Sequence, residues 1–125
     1  MIISLVTDMA IKLFVCGFAW HVFADWILQN HWQAQNKVSL LHPAAYVHSG
    51  IHLLGLLFIF PAWWMAVLIA VTHILIDTRV PLAWWRSFFK QTTDGPVAID
   101  VAIWGDQAAH ITVLAIAALL AGGIR

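Results

Sequence analysis

Glutamate is absent from this chain, and charged residues of every kind make up only 10% of it. The acids are six aspartates, matched by six lysines and arginines, so the formal net charge is zero. No basic stripe exists along which a nucleic acid could lie, which argues against nucleic acid as a partner. Cysteine occurs once, at Cys16, which excludes an internal disulfide framework and any cysteine-rich zinc motif. Cys16 is read as a small packing residue of the first helix. The amino terminus lacks a basic leader region, and Asp8 and Lys12 interrupt its apolar start, so it does not read as a cleaved signal. Internal repeats and linkers are missing too, so a single transmembrane domain over residues 1–125 is expected.

What fills the chain instead is apolar: 62% of the residues are hydrophobic, eight of them tryptophan. A water-soluble domain of this size could not bury that much apolar surface, so the expected class is membrane. The apolar runs and their breakers predict an all-α, integral membrane antiparallel four-helix bundle. Its helices cover about 5–28, 43–60, 62–79 and 97–121. A polar connection spans Gln29–His42. Pro43 suits a helix start. Pro61 marks a tight turn, and Pro81 ends the third helix. Residues 82–91 mix Trp84, Trp85, Phe88 and Phe89 with Arg86 and Lys90, the pattern of a short interfacial helix. Asp94-Gly95-Pro96 is turn chemistry, and Asp100 suits the start of the last helix. Gly50 and Gly55 suit close helix packing.

Each of the four helices carries two ionisable residues one turn apart: His21/Asp25, His48/His52, His73/Asp77 and Asp106/His110. The i,i+4 spacing puts each pair on one helix face. In an up-and-down bundle all four pairs fall at the end that the first helix reaches last. The fourth pair looks deeper than the others, about 15–20 Å into its helix at 1.5 Å per residue. The same end carries Lys37, Arg79, Arg86 and Lys90, against Lys12 and Arg125 at the other. The positive-inside rule then turns the site toward the cytoplasm. Trp63 and Trp64 mark the far interface, and Trp32, Trp84 and Trp85 the near one.

Ionisable groups in a membrane segment cost several kcal/mol unless paired, hydrated or bound. Five imidazoles and three carboxylates suit one or two divalent ions, zinc first, with iron or manganese as alternatives. Four-helix bundles build dinuclear sites from such facing pairs, and a metal-activated water near neutral pKa is a hydrolytic nucleophile. His21, Asp25, His48, His52, His73, Asp77, Asp106 and His110 are the candidate ligands. Asp77 and Asp106 are the candidate proton-transfer residues. Gln29, Gln107 and Lys37 are candidates for the surrounding layer, with Thr72 behind them. His31 and His42 are read as solvated residues of the polar connection. Arg79, Arg86 and Lys90 are read as interface anchors, or more sharply as holders of a phosphate headgroup over the site.

The stretch His21-Val-Phe-Ala-Asp25-Trp-Ile-Leu-Gln29-Asn-His-Trp32, followed by Lys37, resembles the opening signature of the domain of unknown function family 3307. His48, the Thr72–Asp77 segment and the Asp106–His110 segment continue the likeness over nearly the whole chain. The resemblance implies a small polytopic membrane protein of bacteria or phages and no particular activity. A looser likeness, in the HxxxD pairs, is to membrane-bound metal-dependent hydrolases. The resulting expectation is a metalloprotein hydrolysing a lipid or membrane-associated phosphoester, with membrane lipids as partners and a homo-oligomer as a possible state. The alternatives are a small transporter or proton or metal relay, and a non-catalytic membrane partner with a structural His/Asp cluster.

Overall fold

A computed structural model describes residues 2–123, with side chains from residue 5 onward; Arg125 lies outside the described residues. Every element is helical. Helix α1 (Ile2–Phe23) runs directly into a π-helical turn, Ala24–Leu28. It is followed by α2 (His31–Asn36), α3 (Pro43–Ile59), α4 (Trp63–Asp77), α5 (Val80–Phe88) and α6 (Ala98–Gly123). Leu5–Leu28 and Ala98–Gly123 are each long and apolar enough to cross a membrane. Helices α4 and α5 form a further candidate, bent by 65°, and α3 is apolar but shorter. Of the four expected spans, two therefore meet the length test alone.

The starts and stops follow local chemistry. Pro43 opens α3, where its missing N–H costs nothing, and His42 Nδ1 accepts from the Ala44 N–H at 3.2 Å. His42 is thus a helix cap. The polar connection over 29–42 contains α2, set by a capping box. Asn30 accepts from Gln33 N at 2.9 Å, and Gln33 accepts from Asn30 N at 3.2 Å. Helix α4 ends at Asp77, two residues earlier than expected, because Arg79 turns the chain with φ +63°. Pro81 does not end α4; it sits in the first turn of α5, where proline is tolerated. A non-glycine residue in this left-handed region costs about 1–3 kcal/mol, and Lys90 repeats it at the other end of α5 with φ +52°. Asp100 lies in the first turn of α6, as expected.

The four long helices form a ring in which α1 packs on α6 and α3, and α4 packs on α3 and α6. Neighbours run antiparallel. A Cβ on Gly122 would lie 2.9 Å from the Val6 carbonyl and 3.0 Å from the Ala10 Cβ, while Gln107, earlier in α6, reaches His21 late in α1. Small residues therefore let the two longest helices approach closely. One half of the interior is apolar, built by Leu13, Leu56, Phe60, Met65, Ile69 and Leu114. The other half holds the histidines. The apparent depth of the fourth pair has a simple source: α6, about 39 Å long at 1.5 Å per residue, extends past the site, where Gly105 meets Leu82 of α5. Cys16 faces outward rather than packing inside.

Gly55 answers its expectation and Gly50 does not. The indole of Trp20 occupies the space a Cβ on Gly55 would take, whereas Gly50 has open space around it. Trp20 is held there by an Nε1–H bond to the His52 carbonyl at 3.0 Å. Gly55→Ala is therefore expected to destabilise the protein by about 1–3 kcal/mol through overpacking, while Gly50→Ala is neutral or stabilising. Thermal melting of both variants in detergent checks this, and equal melting temperatures would refute the packing argument.

Candidate metal centre

Five imidazoles from all four long helices meet in the polar half of the interior. His21 comes from α1, His48 and His52 from α3, His73 from α4 and His110 from α6. Ring centroids of His52 and His73 are 3.8 Å apart, and those of His73 and His110 are 4.3 Å apart. All five rings are buried, His48 and His52 most completely. Asp25, in the π-helical turn, and Asp77, at the end of α4, enter the same space. π-Helical turns within α-helices occur frequently at functional sites.

Ligand-type atoms converge here in two overlapping groups, Asp25/His48/His52/His73 and His73/Asp77/His110, each with its atoms within 4.8 Å of one another. His52 Nε2 lies 3.0 Å and His48 Nε2 3.1 Å from Asp25 Oδ1. His73 Nε2 lies 3.1 Å from Asp77 Oδ2 and 3.1 Å from His48 Nε2. Two facing Nε2 atoms at that distance cannot both carry a proton, so at least one presents a lone pair. His110 is more explicit. Its Nδ1–H donates to the Asp106 carbonyl at 2.9 Å, which leaves Nε2 as the lone-pair nitrogen of a neutral ring. That Nε2 is buried and has no hydrogen-bond partner. Both Asp77 oxygens are buried too, but ion-pair contacts hold them: Oδ1 lies 3.0 Å from Lys37 Nζ and Oδ2 3.1 Å from His73 Nε2. Unsatisfied buried acceptors are uncommon and call for an explanation; a cation supplies one.

The surrounding layer is partly as expected. Gln107 Nε2 donates to Asp25 Oδ2 at 3.1 Å, and its Oε1 lies 3.1 Å from His21 Nε2, the donor in this arrangement. Histidine–amide–carboxylate chains of this kind orient metal ligands. His21 and Asp106 stand outside the two converging groups. His21 lies 3.4 Å from Asp25 and supports it through Gln107. The Asp106 carboxylate lies 3.6 Å from His110 Nδ1 with 22% of its side chain exposed, at the rim. Gln29 lines the adjoining cavity, and its Oε1 is buried without a partner. Thr72 donates to the Ile69 carbonyl of its own helix and takes no part.

Lys37 is more central than its sequence position suggested. Carried at the end of α2, its Nζ lies 3.0 Å from Asp77 Oδ1, 3.1 Å from His48 Nε2 and 3.9 Å from Asp25 Oδ1. With neutral imidazoles, two carboxylates and one ammonium leave the cluster one net negative charge. A buried charge set is stable only when compensated, and the remaining charge is of the right sign for a divalent cation. The signal that could have raised Lys37 is the Asn30/Gln33 capping box, which makes α2 a defined arm rather than loose coil.

A family model described as "Protein of unknown function (DUF3307)" matches residues 13–124. No curated protein and no solved structure matches the chain.

Removing Lys37 leaves two buried carboxylates without their cation. Lys37→Met is therefore expected to cost about 3–5 kcal/mol in metal-free protein, the range for breaking a buried pair. Added zinc or manganese should recover most of that loss by compensating the same charge. Melting curves with and without the ion check it; a variant that melts like wild type, or that no divalent ion rescues, would show that charge compensation is not what holds the cluster.

Proposed function

The chain belongs to the DUF3307 family of proteins of unknown function, and we propose that it is an integral membrane metalloprotein that hydrolyses a lipid or membrane-associated phosphoester. The observation that carries this reading is the convergence of buried His and Asp ligand atoms in two overlapping groups, with His110 Nε2 left without a hydrogen-bond partner. Asp25, His48, His52 and His73 would hold one ion, a nitrogen-rich set that suits zinc, with iron or manganese as alternatives. Asp77 and His110 would take part in a second seat. His73 belongs to both groups, and its single Nε2 can serve only one ion at a time. With His73 on the second ion, each seat keeps three protein ligands, Asp25/His48/His52 and His73/Asp77/His110, and three ligands with an open position are the pattern of catalytic rather than structural metal sites.

A bound divalent ion supplies charge stabilisation for a phosphoryl oxygen and activates water at neutral pH. The chain's own residues do the rest. Asp106 stands at the wet rim, suited to exchange protons between the cavity and the His110 side of the cluster. Asp77 lies beneath it, fixed between Lys37 and His73, and is assigned the inner proton transfer. Gln107 holds Asp25 and His21 in position.

The whole chain is read as one transmembrane domain: α1, α3, α4 and α6 as four crossings, α5 in the interface. At 17 residues α3 sits at the lower limit for a span, and at 15 residues α4 falls just short of it. Trp84, Trp85, Phe88 and Phe89 on α5 are all outward-facing and about half or more exposed, as an interfacial helix requires. Lys37, Arg79, Arg86 and Lys90 gather at the site end, which favours a cytoplasmic site. Bacterial inner membrane is the compartment proposed, with lipids and further copies of the chain as neighbours.

The second reading is a non-catalytic structural cluster, favoured by Lys37, which already neutralises part of the charge without a metal. A relay across the membrane is less favoured, since the far half of the interior is the apolar core and Asp8 and Lys12 are exposed. Elemental mass spectrometry of detergent-purified protein decides between these. One or two zinc, iron or manganese ions per chain are expected, lost in a still-folded His73→Ala/Asp77→Ala variant. Metal uptake should weaken as the pH falls, because protons compete with the ion for imidazole. No metal after reconstitution would sink the hydrolase reading and leave the structural cluster.

A further inference from the structure

Beside the metal centre lies a cavity of about 560 Å³, bordered by the π-helical turn, α2, α5 and the first half of α6. Its floor includes Asp25, Asp77 and Asp106, so it opens onto the cluster. Its walls hold three cations, Lys37, Arg79 and Arg86. Its mouth is apolar: Trp26 and Ile99 line it and are 65% and 70% exposed.

The two arginines are unusual in ways that fold stability does not explain. Arg79 occupies a left-handed backbone position, φ +63°, which favours glycine. Its side chain makes no hydrogen bond or ion pair among the described residues. A strained position filled by a long cationic side chain that pairs with nothing points to a role beyond the fold. Arg86 lies one turn after Leu82 on the inner face of α5. One guanidinium nitrogen, Nη2, donates to the Thr92 carbonyl, which fixes the side chain. Its Nε is buried and has no partner, a donor held ready for an acceptor.

We propose that this cavity binds the phosphoryl group of an amphiphile, with Arg79 and Arg86 on its oxygens and Lys37 on the side of the metal centre. Two guanidinium groups match a phosphate monoester, which carries about −1.5 to −2 charge at neutral pH, better than a carboxylate. The apolar chain leaves past Trp26 and Ile99 into lipid. The site rests on the hydrolase reading for its relevance to catalysis, because the floor carboxylates repel an anion until a divalent ion compensates them. The same phosphoryl chemistry could arrive on a soluble ion, so the test separates the two sources.

The experiment titrates detergent-solubilised, zinc-reconstituted protein with dodecyl phosphate, inorganic phosphate and laurate, followed by isothermal calorimetry, with metal content measured on each sample. Dodecyl phosphate should bind most tightly. Arg79→Gly and Arg86→Gln should each weaken it roughly tenfold or more, the effect of one lost charge-assisted hydrogen bond. Lys90, which the sequence grouped with the two arginines as a headgroup holder, does not line this cavity, so Lys90→Gln should leave binding unchanged. Arg79→Gly is the decisive variant because glycine suits the left-handed backbone, so its melting temperature should not fall. Unchanged binding in both arginine variants, or an equal loss in Lys90→Gln, overturns the pocket. Laurate binding as tightly as dodecyl phosphate overturns the phosphoryl assignment. Inorganic phosphate binding as tightly overturns the amphiphile half and makes the ligand soluble. A full metal complement without phosphate binding defeats this pocket alone. Arginine-dependent binding in protein that takes up no metal defeats the hydrolase reading and leaves the pocket standing.

Discussion

Buried charge compensation is the constraint around which this structure is arranged. Asp25 and Asp77 enter a space bounded by five imidazoles and by apolar helix faces, and Lys37 Nζ approaches both. Removing such carboxylates from water is expensive unless charge and hydrogen bonding are restored around them. Much of the local architecture follows from that need. The Asn30/Gln33 box fixes α2 so that a long, flexible side chain reaches inward from a defined point. Gln107 bridges Asp25 to His21. The His110 Nδ1 bond to the Asp106 carbonyl selects the tautomer whose Nε2 faces the cluster.

The division of the interior into two halves has a functional meaning. Leu13, Leu56, Phe60, Met65, Ile69 and Leu114 close one end of the bundle, and the close approach of α1 and α6 at Gly122 tightens it. The other end is polar and opens sideways into the cavity under α5. On the reading proposed above, a site closed at its base and open at its flank would meet a substrate from the membrane surface rather than conduct through the bundle. Helix α5 completes that flank: Leu82 and Arg86 turn inward one turn apart while Trp84, Trp85, Phe88 and Phe89 turn outward. The left-handed residues at both its ends permit the sharp departure from α4 and the return toward α6.

Much of this was legible in the chain itself. The absence of glutamate and the scarcity of charge made the i,i+4 pairs stand out, and helix periodicity placed each pair on one face. Periodicity and proline positions located the four long helices to within a few residues. Membership of the DUF3307 family, over residues 13–124, agrees with the resemblance carried by the His21–Lys37 stretch. The faintest local signal was that of the short helix inside the polar connection. Its capping residues, Asn30 and Gln33, are common in loops as well.

Sequence alone determined the helical class, the apolar character and the identity of the residues that meet in the polar half, because these depend on composition and on a fixed spacing along single helices. Only the tertiary structure decided how the pairs divide. His48, His52, His73 and His110 converge with Asp25 and Asp77, while His21 and Asp106 stand one step outside. That division depends on the π-helical turn at Asp25, the rise of α6 past the site and the reach of Lys37 from a separate helix. The first is a local departure from α-helical winding and the other two are distances between elements far apart in the chain, and regular periodicity within one helix encodes neither.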